Sequence, residues 1–157
     1  MTDASRWTVA LEDTGRADVA GLLAIHEALM RAQTPHASCH VKSADDLVET
    51  GARLFALREA GRLLALGALV PIGPGHEELK SMHVAQPGRG RGVGRALLQA
   101  LLQDARARAV ARVSLETGSG DDHAAARALY ARAGFTACGA YAGYAEDPLS
   151  VFMTLAL

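Results

Sequence analysis

Between an apolar run with strand-like character and a run with the 3.6-residue period of a helix lies Arg89-Gly90-Arg91-Gly92-Val93-Gly94-Arg95. A strand must end and a helix begin across this short joint, which carries a glycine at every second position. Glycines let successive backbone N–H groups converge on an anion, and a helix start adds its unsatisfied amides and the positive end of its dipole. The arginines supply forked, charge-assisted donors suited to phosphate oxygens. The segment reads as a cradle for a diphosphate. The alternative is a surface turn with solvated arginines, because a lone Gly-rich loop is a weak signal.

The flanking residues set the order of elements. Trp7, Val9 and Leu11 alternate with polar neighbours and predict a first strand. Val19, Leu22, Leu23, His26, Leu29 and Met30 recur at helical spacing from about Ala17, and the pattern stops before Pro35. Residues 34 to 41 read as a loop, after which Ser43 caps a short helix through Glu49, with Asp45 and Asp46 where the helix dipole favours acids. Arg53 to Arg58 and Leu63 to Val70 flank the hairpin signal Glu59-Ala60-Gly61-Arg62. Pro71 to Gly75 reads as a loop and Glu78 to Ala85 as the strand leading into the glycine joint. The long helix runs from Val93 to about Ala109, with Val93, Leu97, Leu101 and Ala105 on one edge and Leu98 and Leu102 widening it. A short strand, Val113 to Glu116, precedes a helix from about Asp122 to Ala133 that Gly134 closes. Phe135 to Ala140 and Val151 to Leu155 predict the last strands. The sum is a mixed sheet with helices on its faces, a single α/β domain over residues 1–157.

Half of the 157 residues are apolar, enough to bury a core without metal or disulfide support. A formal net charge of −1 gives no footprint for nucleic acid, and the six arginines between Arg89 and Arg112 are accounted for by a small anionic ligand. Cys39 and Cys138 lack a CxxC partner, which speaks against a zinc ribbon or a redox motif. The expectation is a cytoplasmic protein, with no signal segment and no apolar run long enough to span a membrane. A dinucleotide-binding fingerprint is imitated and then broken: its third glycine would fall at Arg95, and the loop follows antiparallel strands instead of opening a doubly wound sheet.

Two stretches resemble a known family. Arg89-Gly90-Arg91-Gly92-Val93-Gly94 matches the R/Q-x-x-G-x-G/A motif of the GNAT superfamily of acetyl-CoA-dependent N-acetyltransferases. Ala126-Arg127-Ala128-Leu129-Tyr130-Ala131-Arg132-Ala133-Gly134-Phe135 looks like its A-x-x-L-Y-x-x-x-G-F signature. The order of elements resembles the GNAT fold, a mixed central sheet of about seven strands flanked by helices. Glu78-Leu79-Lys80-Ser81-Met82 with Leu115-Glu116-Thr117-Gly118 is similar to one uncharacterised bacterial branch. In one departure, His123 stands seven residues before Tyr130, where many relatives carry Asn.

What the resemblance implies is acetyl-CoA as cosubstrate and no metal. Its diphosphate would lie on the amides of Arg91 to Arg95, and its pantetheine arm between the strand ending at Ala85 and the strand ending at Thr117. Cosubstrate contacts are assigned to Met82, His83, Val84, Arg89, Gly90, Arg91, Gly92, Val93, Gly94, Arg95, Thr117, His123 and Ala126. At about 3.3 Å per residue, Glu78 lies roughly 20 Å from the loop, comparable to an extended pantetheine arm. Tyr130 is the expected general acid, since a phenol can donate to a departing thiolate. Glu78 is the expected base for the amine; the alternative is that it pairs with Lys80. A backbone N–H of His83 or a neighbour, freed by a β-bulge, is implied for the carbonyl oxygen. Tyr141, Tyr144, Glu146 and Asp147 would border the acceptor pocket, where acids favour a cationic amine. The implied reaction is acetyl transfer to a primary amine of a small molecule; a protein lysine or N-terminus as acceptor, and a non-catalytic acyl-CoA sensor, are the alternatives. A homodimer is compatible with the resemblance.

Overall fold

The computed structural model describes residues 6–157. Along the chain run β1 (Trp7–Leu11), α1 (Ala17–Gln33), α2 (Ala44–Glu49), β2 (Arg53–Glu59), β3 (Arg62–Gly73), β4 (His76–Val84), α3 (Val93–Ala107), β5 (Arg112–Gly118), α4 (Ala124–Arg132), β6 (Thr136–Cys138) and β7 (Ser150–Ala156). Single 3₁₀ turns at His36–Ser38, Gln86–Gly88 and Asp121–His123 punctuate the connections. The strands form one seven-stranded sheet in the order β1-β2-β3-β4-β5-β7-β6. Every pairing is antiparallel except that of β4 with β5. Among the described residues, no helix is long and apolar enough to cross a membrane.

Local chemistry explains several boundaries. Ser43 accepts from the Asp46 amide at 3.1 Å while the Asp46 carboxylate accepts from the Ser43 amide at 3.1 Å, a reciprocal cap that starts α2. Ala60 and Gly61 take φ values of 48° and 82°, the left-handed pair that turns β2 into β3 in two residues. β3 runs on through the residues expected to be a loop, with Pro71 opposite Glu77 of β4. Its ladder with β2 ends at the Arg53↔Leu69 pair, so proline falls where that side of the strand needs no N–H donor. The final hairpin is shorter than expected, because only Thr136, Ala137 and Cys138 find partners on β7.

Alternation on the strands sorts the core into two layers. On one face, α3 lays Leu97, Leu98 and Leu101 against Leu57, Leu69, Val113 and Leu115. On the other, Val19, Leu22 and Leu23 of α1 and Leu47 of α2 cover Leu54, Ala56, Leu66 and Ala68.

A bulge in β4 alters which residues share a face. Leu66 pairs with His83 and Ala68 with Lys80, so Gly67 alone stands opposite Ser81 and Met82. Ser81 adopts φ 57°, the left-handed region that a non-glycine residue rarely enters. Gly67 is required here: a Cβ would stand 2.7 Å from Met82 Sδ and 3.2 Å from Leu101 Cδ2. The extra residue sends Met82 and Val84 toward the α3 core and turns His83 toward α1, on the side of the sheet that Lys80 occupies.

Candidate active site

β4 and β5 are joined only at His76↔Arg112, Glu77↔Val113 and Glu78↔Ser114. Beyond those pairs the strands part, and a cavity of about 230 Å³ opens at the fork. Its walls come from α1, the 38–42 loop, the far half of β4, the end of β5 and the start of α4. Tyr130, His83, Met82, Thr117, His123 and Ala126 all line it. The His123 ring lies against the Cα of Gly118, where any Cβ would collide with it.

At the wide end of the fork, Gly92 caps α3 in the left-handed conformation, φ 82°, and Gly90 has φ 74°. The first helical bond runs from Ala96 N–H to the Gly92 carbonyl at 3.0 Å, so the amides of Val93, Gly94 and Arg95 have no intrahelical acceptor. Val84 and Leu129 close on Gly94, whose missing side chain lets β4 and α4 approach the helix start. The arginines of the joint divide their tasks. Arg91 forks onto Glu59 at 2.7 and 3.2 Å and lies over the Trp7 ring, anchoring the loop to β2 and β1. Arg89 donates to the Val84 carbonyl at 3.2 Å. Arg95 instead faces a second depression, between α3 and α4, together with Arg106 and Arg132.

Tyr130 is buried with its ring edge against Phe135. Burial pushes its phenol well above the usual tyrosine range, so it holds its proton throughout the neutral range. Glu78 is held on two sides. Tyr141 donates to its Oε2 at 2.6 Å, and Lys80 Nζ stands 3.7 Å from its Oε1. Lys80 in turn donates to the His40 carbonyl at 3.0 Å and to Tyr144 at 2.7 Å. Burial lowers the Lys80 ammonium below the usual lysine range, against the opposing pull of Glu78. Glu78 is absent from the cavity wall, whereas Glu116, at the end of β5, forms part of it. Burial raises the Glu116 carboxyl above the ordinary value.

Two features escaped sequence reading. His26 and His83, 57 residues apart, meet with Nδ1 atoms 3.0 Å apart in the cavity wall. Burial lowers both, His26 to about 4, so both rings are neutral at pH 7 and share one proton across the bond. Glu116 is the second. The available signal was an acid at the end of the strand that follows the cradle helix. The acids expected to greet an amine already have partners: Glu146 accepts from the Ala140 amide at 2.7 Å, and Asp147 accepts from Ser38 of the cavity loop at 2.5 Å and the Leu149 amide at 2.9 Å. Among the described residues, no three His, Cys, Asp or Glu side chains converge as a metal-holding group.

A mixed sheet whose one parallel pair forks beside a glycine-capped helix start is the architecture of the GNAT acetyltransferases, and the chain belongs to that family, which matches it over residues 9–135. It is an acyltransferase with acetyl-CoA as cosubstrate. Its relatives place it more closely. It is 34% identical to the uncharacterized N-acetyltransferase YedL of Escherichia coli, over 96% of this chain and 95% of that one. The IAA acetyltransferase of Azospirillum brasilense is 35% identical over 76% of this chain and 77% of its own. A Klebsiella pneumoniae crystal structure placed in the acyl-CoA N-acyltransferase class superposes with a TM-score of 0.77 at 32% identity, covering 96% of this chain and 97% of that one.

The residues present fit this cosubstrate. Open space surrounds the Cα atoms of Gly90 and Gly92, and three amides at the start of α3 lack helical acceptors. The parted edges of β4 and β5 give an extended arm a bed of backbone groups, and the bulge at Ser81 breaks the β3 ladder beside it.

Proposed function

We propose that the whole chain, residues 1–157, acts as one domain that acetylates a primary amine of a small molecule by direct attack. The observation that carries this reading is the fork cavity, whose lining includes both a phenol that holds its proton and a carboxyl of raised pKa. A volume of about 230 Å³ suits a small acceptor. The name of the Azospirillum relative, IAA acetyltransferase, also favours a small molecule.

Acetyl-CoA supplies the activated acyl group. The amides of Val93, Gly94 and Arg95, with Gly90 and Gly92, bind its diphosphate, and Met82, His83, Val84, Thr117, His123 and Ala126 flank its arm. A free amine has a pKa near 10, so a proton must leave it at neutral pH. Glu116 accepts that proton, directly or through water, and its raised pKa makes it a better base than an ordinary surface carboxylate. Glu78, engaged by Tyr141 and Lys80, positions the lysine and the 141–144 loop. Tyr130 returns a proton to the departing thiolate.

Thiol release measured across a panel of amines tests this reading. Tyr130→Phe and Glu116→Gln should each lower kcat by about 10²-fold or more with little change in the KM for acetyl-CoA. The Glu116→Gln loss should exceed that of Glu78→Gln in the pH-dependent part of the rate. Unaltered turnover in Tyr130→Phe would refute the acid role, and thiol release that no amine stimulates would refute the reaction.

A further inference from the structure

Charges of both signs line the fork cavity. Lys80 reaches it from β4, and Lys42 from the loop before α2. Lys80 is partly neutralised by Glu78 at 3.7 Å and, more weakly, by Glu116. Lys42 is half-buried, and among the described residues its ammonium has no ion pair or hydrogen bond. The two lysines lie close enough for the charge of Lys42 to disfavour that of Lys80. Lys80 also fixes the 38–42 loop in place through its 3.0 Å bond to the His40 carbonyl, so Lys42 projects from a tethered segment. Acids line the same cavity: Glu116 ends β5, near enough to Lys80 for each to favour the other's charge, and Asp122 sits in the 3₁₀ turn before α4. The uncharged His26–His83 pair and Leu29, Met30 and Leu79 make up much of the remaining lining.

An ammonium that lines a cavity and has no direct ion pair is open to an anionic ligand, and charge-assisted bonds to carboxylates are among the stronger polar contacts. A plain alkylamine or a diamine would satisfy Glu116 and leave Lys42 unmatched, and a diamine would set a second positive charge against it. A molecule with an amine at one end and an anionic oxygen group at the other matches both signs of the lining at once. We propose that the acceptor is a small zwitterion, an amino acid with a free carboxylate, whose amine points to Glu116 and whose carboxylate is held by Lys42. This rests on the proposed N-acetyltransfer reaction and specifies its substrate class. It also reverses the electrostatic expectation drawn from Glu146 and Asp147, whose carboxylates are taken up by the Ala140 and Leu149 amides and by Ser38.

Matched acceptors decide it: free amino acids, their primary amides and their decarboxylated amines, each assayed for thiol release with acetyl-CoA. The expected kcat/KM for the acids exceeds that for the amides and amines of the same side chain by tenfold or more. In Lys42→Ala the advantage of the acids should collapse toward unity through a raised KM with a smaller change in kcat, and in Lys42→Glu it should invert. Titration with CoA reports that these variants are folded. Amides or amines that equal the acids in the wild-type protein overturn the inference and leave the reaction standing, as does an acid preference that survives Lys42→Ala. Should no compound of any set be acetylated, the reaction itself falls, and the substrate class with it.

Discussion

The His26–His83 contact makes a quantitative demand on stability. His26 is 8% exposed, and burial, reinforced by the nearby His83, Lys80 and His123, lowers its pKa from 6.5 to about 4. The unfolded chain therefore binds a proton at this residue more readily than the folded one, and folding loses free energy as the pH falls from about 6.5 through 4. A gap of about 2.5 pH units corresponds to about 3 kcal/mol when fully expressed, and to about 2 kcal/mol at pH 5. Asparagine in place of His26 isolates this contribution, because its side-chain amide can approach the position of Nδ1 and still meet His83, but it does not titrate. Urea unfolding of both proteins between pH 5 and 8 should give curves that converge on acidification. The wild-type protein should lose about 2 kcal/mol more than His26→Asn over that range. Carboxylates that gain partners on folding are common to both proteins and cancel in the difference, as does the lowered pKa of His83. Parallel pH profiles would show that His26 is not buried as a neutral ring and would remove the shared proton from the site.

Gly92→Ala puts a Cβ on a residue with φ 82°, where an L side chain costs about 1–2 kcal/mol even though the space is open. Calorimetry should show CoA affinity reduced about tenfold as the helix start readjusts, and an unchanged affinity would separate the cradle from ligand binding. Leu97→Ala removes a side chain with no exposed surface from the middle of the α3 layer and should cost about 2–5 kcal/mol in urea unfolding.

Elements were legible where their causes are local. Ser43 and Asp46 sit three residues apart and cap each other, Ala60-Gly61 turns a hairpin unaided, and the α3 stripe from Val93 to Ala105 declares its buried edge. Residues brought together by the sheet were not. The bulge at Ser81 has no glycine of its own; its requirement is written on the neighbouring strand, at Gly67, and becomes visible only once β3 and β4 are in register. The same holds for Tyr141 on Glu78, 63 residues away, and for His26 on His83. The possible pairing of Glu78 with Lys80 was readable because both lie on one strand face, yet the tyrosines that complete that cluster come from the far end of the chain. Pro71 misled because proline argues against a central strand, and nothing in its vicinity announces that β2 begins only at Arg53.

Three residue pairs are all that rivet β4 to β5, while β5 and β7 share seven. Mechanically the sheet is two plates, β1 to β4 and β5 with β7 and β6, hinged at one end and spanned by α3. Flexing that hinge breaks no ladder inside either plate. What resists such flexing is the side-chain packing beneath it, where α3 sets Leu97 and Leu101 against both plates, and the grip at the helix start lies at the open end.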